Sequence, residues 1–130
     1  MNWDGLNRRK FPRVMCPCLI KLAEKENGDG VILTHTENIG IGGVCVISKK
    51  NIKNFSALEV EIDLLDAGEH LYCHGRVVWN IRRKNTEEKK PLFYDLGIEF
   101  VGISQRDAKR LEDFIQHHIK SGAKILKAYY

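Results

Sequence analysis

The chain has 130 residues, 43% apolar and 29% charged, which suits one domain able to bury a core without disulfides or metal. Its formal net charge is +4, and the excess is local: residues 1–13 carry Arg8, Arg9, Lys10 and Arg13 against Asp4, a net of +3. No apolar run reaches the roughly 18 residues of a membrane span and the start lacks the order of a signal peptide. The expectation is therefore a cytoplasmic protein without membrane insertion, whose basic arm meets an anionic partner rather than a body that coats long nucleic acid.

After the arm, the pattern alternates. Residues 14–24, VMCPCLIKLAE, read as a strand with a proline, hence edge-like or bulged. KENGDG (25–30) is a turn, and VILTHTE (31–37) a second strand. NIGIGG is a turn or bulge before VCVIS (44–48). LEVEIDLL (58–65) alternates cleanly, and HLYCHGRVVWNI (70–81) is a long strand kinked at Gly75. RRKNTEEKKP (82–91) forms a charged hairpin loop ahead of LFYDLGIEFVG (92–102). A helix follows, with Ser104 as N-cap and Asp107 three residues on. Its stripe is Ala108, Leu111, Phe114, Ile115, His118 and Ile119, and Gly122 supplies a stop. The tail AKILKAYY is apolar enough to pack, without a partner evident in the sequence. The expected fold is all-β with a C-terminal helix: a six-stranded antiparallel barrel over residues 14–103, a helix over 104–122 and a tail over 123–130, behind a flexible arm over 1–13.

Two stretches carry chemistry. In NRRKFPRV, Pro12 disfavours a helix and holds Phe11 extended, so the forks of Arg9 and Arg13 can grip two sides of a compact ligand. An arginine fork matches two phosphate oxygens or the O6/N7 edge of guanine. In NIGIGG, Gly40, Gly42 and Gly43 permit positive φ and leave backbone N–H groups for an anion, while the Asn38 amide caps the turn or pairs with a base edge. Trp79 and Tyr94 are core or rim aromatics, with base stacking as the alternative role. His70, Cys73 and His74, with Cys16, Cys18 and His35, match no zinc spacing. Cys16, Cys18, Cys45 and Cys73 are expected as reduced, core-packed thiols. Nucleophile-elbow, P-loop and HExxH patterns are absent, so a non-enzymatic binding module is expected, with no cofactor and no metal.

RKFPR (Arg9–Arg13) resembles the RxxxR motif of PilZ domains, and NIGIGG (Asn38–Gly43) their (D/N)xSxxG motif. GRVVW (75–79) and YDLGIEF (94–100) are similar to later strands of that family. The resemblance runs from about Arg8 to about His118. It implies a six-stranded β-barrel that binds cyclic di-GMP, a bacterial second messenger, as its ligand. Arg9 and Arg13 would then grip phosphate and guanine, and Asn38, Gly40 and Gly43 the other side. Arg8 would help to hold a second, stacked ligand molecule. Ligand would clamp the arm over the barrel and alter the surface offered to a downstream protein. Gly40 replaces the serine of the motif, which favours weakened binding. The alternative it leaves is a PilZ-like protein-interaction domain that has lost the nucleotide.

Overall fold

A computed structural model describes residues 12–26, 30–83 and 92–126. In chain order the elements are β1 (Arg13–Val14), β2 (Leu19–Glu24), β3 (Val31–Ile39), β4 (Gly43–Ser48), β5 (Ala57–Asp63), β6 (Leu71–Arg82), β7 (Tyr94–Ile103), α1 (Gln105–Lys120) and β8 (Ile125–Leu126). Alternation makes the barrel. Ile20 and Leu22 of β2, Val44 and Val46 of β4, Val60 and Ile62 of β5, and Leu96 and Ile98 of β7 point inward and are buried in one core cluster. The strands run β2-β5-β6-β7-β4-β3 in antiparallel neighbours, and β2 pairs with β3 to close the ring of six. This is the expected six-stranded antiparallel barrel. Closure removes the free edges that an open sheet would leave.

The stretch 14–24 is two strands, not one. Pro17 has no N–H for a ladder, and the chain steps aside over residues 15–18. Buried Thr36 repairs the break. Its hydroxyl accepts from the Cys18 N–H at 2.9 Å and donates to the Cys16 carbonyl at 2.9 Å. Its own N–H donates to the Cys18 carbonyl at 2.9 Å. Arg13, placed in the arm by composition, is the first residue of β1, whose Val14 pairs with Ile39 of β3 and is fully buried. The tail supplies β8, which pairs with β1 through Arg13↔Leu126 and Val14↔Ile125. Most of the charged hairpin loop, residues 84–91, lies outside the described residues.

The Ser104 hydroxyl caps α1 by accepting from the Asp107 N–H at 3.1 Å. At the other end Ser121 is the C-cap, and Gly122 takes the left-handed step at φ +87. Leu111, Phe114 and Ile115 join the barrel core, and Ile119 packs against it. Arg110 pairs with Asp66 at 3.0 Å and Arg106 with Glu69 at 2.8 Å, which moors the helix to the β5–β6 turn. All four cysteines are free thiols. Burial pushes those of Cys18, Cys45 and Cys73 up to about 12.

Candidate ligand site

Direct cross-strand partners share a face of a sheet. One outward row therefore reads Asn38, Cys45, Gly97, Trp79 across β3, β4, β7 and β6. The next reads Gly43, Glu99, Arg76. At about 4.8 Å per strand, the first row spans roughly 14 Å.

Two β-bulges create this face. In β3 the register steps from Thr36↔Val46 to Asn38↔Cys45, so Glu37 is the extra residue. Thr36 faces inward, and without the bulge Asn38 would too. In β6 the register steps from Val77↔Ile98 to Trp79↔Gly97, so Val78 is extra. Val77 is buried in the core and Trp79 is turned outward. A bulge re-aims the side chains beyond it.

Arg13 comes to this face from β1. Its Nη1 donates to the Asn38 Oδ1 at 3.0 Å, and both side chains are buried, at 7% and 6% exposure. Gly40 sits against them. A Cβ there would lie 2.9 Å from the Arg13 Cγ and 3.4 Å from the Pro12 carbonyl. Gly43 is more tightly held, since a Cβ would lie 2.1 Å from the Ile98 carbonyl oxygen. Among the described glycines only Gly122 takes a positive φ. Glycine is therefore needed at Gly40 and Gly43 for close approach, and the positive φ that the turn's glycines permit is not used. The Gly40 N–H is also engaged, donating to the Gly43 carbonyl at 2.9 Å, and the Gly42 carbonyl accepts from the Phe100 N–H at 2.9 Å.

Trp79 lies flat on Gly97, where a Cβ would meet the ring at 2.1 Å. Its indole face is the aromatic surface of the site. Tyr94 packs against the core cluster from the end of β7. Buried Glu99 is ion-paired with Arg76, whose side chain is half exposed. Arg83 pairs with Glu37 at 2.6 Å and with Asp95 at 2.9 Å. The Cys45 thiol donates to Glu37 at 3.6 Å; burial and the Glu37 charge raise its pKa, and the Arg13 charge lowers it. The face thus offers an arginine fork, a buried amide, a flat ring and a carboxylate–arginine pair, a set that suits a compact anion with aromatic bases.

Sequence reasoning placed Arg13, Asn38, Gly40 and Gly43 together, and the structure does so. Arg8 and Arg9 lie outside the described residues. Cys45, Arg76, Gly97 and Glu99 were not foreseen as part of the site. For Gly97 and Glu99 the signal is in YDLGIEF, where they alternate against inward Leu96 and Ile98. The His70, Cys73 and His74 group is split: Cys73 is buried, His74 is exposed, and His70 pairs with Glu61 at 2.7 Å. Among the described residues no three His, Cys, Asp or Glu side chains come together as metal ligands.

A family model for the PilZ domain matches residues 7–117. The chain belongs to the PilZ family. The PilZ domain of Escherichia coli YcgR, solved with c-di-GMP, is 13% identical with TM-score 0.64, covering 88% of this chain and 97% of that one. The Bacillus subtilis inhibitor of motility MotI/DgrA is 16% identical with TM-score 0.65, covering 87% of this chain and 52% of that one. MrkH of K. pneumonia, described as a c-di-GMP dependent transcription regulatory factor, is 18% identical with TM-score 0.68 over 86% of this chain and 51% of that one. This PilZ chain thus spans about half the length of MotI/DgrA and MrkH. At these identities the likeness is one of fold. No curated protein matches the chain at a significant level. Among the described residues no helix is long and apolar enough to cross a membrane.

Proposed function

We propose that this PilZ domain is a receptor for cyclic di-GMP that signals to a downstream protein by changing its surface on binding. The observation that carries the reading is the Arg13–Asn38 contact at the start of the glycine turn, 3.0 Å long and buried on the face that Trp79 shares. It joins the two motif halves. The solved neighbours include two c-di-GMP complexes of YcgR. Arg9 would complete the grip from the arm, with Arg8 adding contacts to a second ligand molecule.

Gly40 is the point where a lapsed site would show. Here the space a larger residue would need is filled by the Arg13 side chain and the Pro12 carbonyl. The substitution therefore fits the way this hook packs, which favours a working site over a lost one. It is a binding module on this reading, with no residue assigned to catalysis.

Isothermal titration calorimetry with cyclic di-GMP tests it. Saturable binding is expected in the wild type. Arg9→Ala or Arg13→Ala removes charge-assisted hydrogen bonds of about 1.5–3 kcal/mol, roughly a 10- to 150-fold loss of affinity. A stoichiometry of two per chain would assign Arg8 its role. Absence of heat at ligand concentrations far above micromolar would leave the protein-interaction reading. Because MrkH is described as a transcription regulatory factor, a duplex oligonucleotide is titrated beside the nucleotide. Strongly salt-dependent binding of the duplex would overturn the expectation that long nucleic acid is not a partner.

A further inference from the structure

In a ring of six, β2 and β5 stand opposite β7 and β4. They are thus across the barrel from the middle of the Asn38–Trp79 row, and β3 serves both sides, with Val31 and Leu33 at its start and Asn38 near its other end. The outward positions of the wall that β3, β2 and β5 form are unusual for an exposed sheet. Leu19 of β2 is 53% exposed, and Val31 and Leu33 of β3 are 53% and 76% exposed. Leu19 pairs with His35, Lys21 with Leu33 and Ala23 with Val31, so Leu33 lies diagonal to Leu19 and two residues from Val31 on the same face, with Lys21 and His35 set among them. Contiguous exposed apolar surface marks an interaction site, whereas scattered single residues do not.

Beside the patch runs a row of acid. Glu59, Glu61 and Asp63 occupy successive outward positions of β5 and pair across to Ala23, Lys21 and Leu19. Lys21 is the one basic side chain set among them on β2, and His70 touches Glu61 and Asp63 at 2.7 and 3.4 Å. Two shallow grooves of about 490 and 480 Å³ flank Lys21 and Glu61 on this wall. The acid row contrasts with the whole chain, whose formal charge is +4. A basic partner is therefore attracted to this row and not to the basic arm of residues 1–13. The wall belongs to a closed barrel and has no free strand edge, so an added strand has nothing to pair with. A helix laid across the grooves needs no backbone pairing.

We propose that the β3–β2–β5 wall is a docking site for an amphipathic helix of a partner protein, with an apolar stripe set over Leu19, Val31 and Leu33 and Lys or Arg beside it over Glu59, Glu61 and Asp63. Because β2 and β5 lie across the barrel from β7 and β4, and the wall uses the end of β3 remote from Asn38, the helix and a ligand occupy the domain together, and docking does not depend on the nucleotide reading.

The probe is a fluorescein-labelled 18-residue helical peptide with leucines at i, i+3, i+4 and i+7 spacing flanked by lysines, followed by anisotropy against the full chain. Controls are the same peptide with glutamates for lysines, and a scrambled peptide. The lysine peptide is expected to saturate at one per chain. Affinity falls by about tenfold or more in Glu59→Lys/Glu61→Lys and in Leu19→Ser/Leu33→Ser, all at outward positions of the barrel, with melting curves confirming the fold. Failure of the lysine peptide to bind, equal binding of the glutamate or scrambled peptide, or variants that bind like wild type would each overturn the proposal. So would sedimentation showing wild-type dimers that Leu19→Ser/Leu33→Ser dissociates, since the occupant would then be a second copy. Binding to anionic vesicles through this wall, lost in Leu19→Ser/Leu33→Ser, would also overturn it.

Discussion

Two glycines of one turn should respond to alanine to different degrees. In Gly43→Ala the new methyl would stand 2.1 Å from the Ile98 carbonyl oxygen and 3.1 Å from the Glu99 Cα, both backbone. Relief needs β4 and β7 to part by about 1 Å or more near the Gly43↔Glu99 pair. That weakens two ladder hydrogen bonds, at about 0.5–1.5 kcal/mol each. Overpacking adds about 1–3 kcal/mol. The expected loss is about 2–6 kcal/mol, a large part of a typical domain's stability. In Gly40→Ala the methyl meets the Arg13 Cγ at 2.9 Å, a side chain that can rotate. An off-rotamer adjustment costs about 0.5–1.5 kcal/mol, while affinity for cyclic di-GMP falls because the fork moves. Neither glycine has a positive φ, so alanine is allowed by the backbone at both. Urea melts of the two variants and wild type measure the difference. A Gly43→Ala stability within about 0.5 kcal/mol of wild type, or a Gly40→Ala loss exceeding it, would refute the close-approach reasoning.

Gly97→Ala should push the Trp79 ring off its seat, since the added Cβ would lie 2.1 Å from it. A red-shifted Trp79 emission, read in a Trp3→Phe background, and weaker cyclic di-GMP binding are expected; unchanged emission would show that the ring does not rest there. Thr36→Val leaves the Cys18 N–H and the Cys16 carbonyl without their hydroxyl partner. The cost in thermal or urea unfolding should be about 2–3 kcal/mol, largely spared in Thr36→Ser. The His70 pKa is raised, chiefly by its hydrogen bond to Glu61 and further by the charges of Asp63 and Glu61. A raised folded-state pKa means that the pair stabilises the fold below the unfolded value of about 6.5 and that this is lost as pH rises through the folded value. An NMR titration should place His70 above about 6.5, with Glu61→Gln bringing it down; a normal midpoint in wild type would dissolve the pair.

Much of the fold is legible because alternation and helical spacing are local. Glu59 and Glu61 against Val60 and Ile62, or Leu111 with Phe114 and Ile115, declare their faces in the sequence. What could not be read depends on contacts distant in the chain. The break after β1 needs Pro17, but its repair needs Thr36, eighteen residues beyond Cys18. The tail finds its place only because Arg13 and Val14 offer a ladder. Composition drew Arg13 into a loose arm, although burial against Asn38 makes it part of the body. The glycine turn was found for the wrong physical reason: its residues are small because Arg13 and the Ile98 carbonyl come close.

The site itself was half legible, and the bulges explain which half. Strict alternation from Val77 turns Trp79 toward the core, and from Thr36 turns Asn38 the same way. Nothing in VVW or TEN announces an extra residue, because a bulge is defined by the partner strand. Only pairing with Val46 and Cys45 identifies Glu37, and only pairing with Ile98 and Gly97 identifies Val78. The two bulges sit at opposite ends of one row and turn Asn38 and Trp79 onto the same outer face. Between them, Cys45 and Gly97 keep regular register and small side chains, which lets the Trp79 ring lie over Gly97. A barrel needs its alternation unbroken to stay packed, so two breaks that turn an amide and an indole to the same side, with the amide held by the Arg13 fork, fit the ligand site proposed for that face.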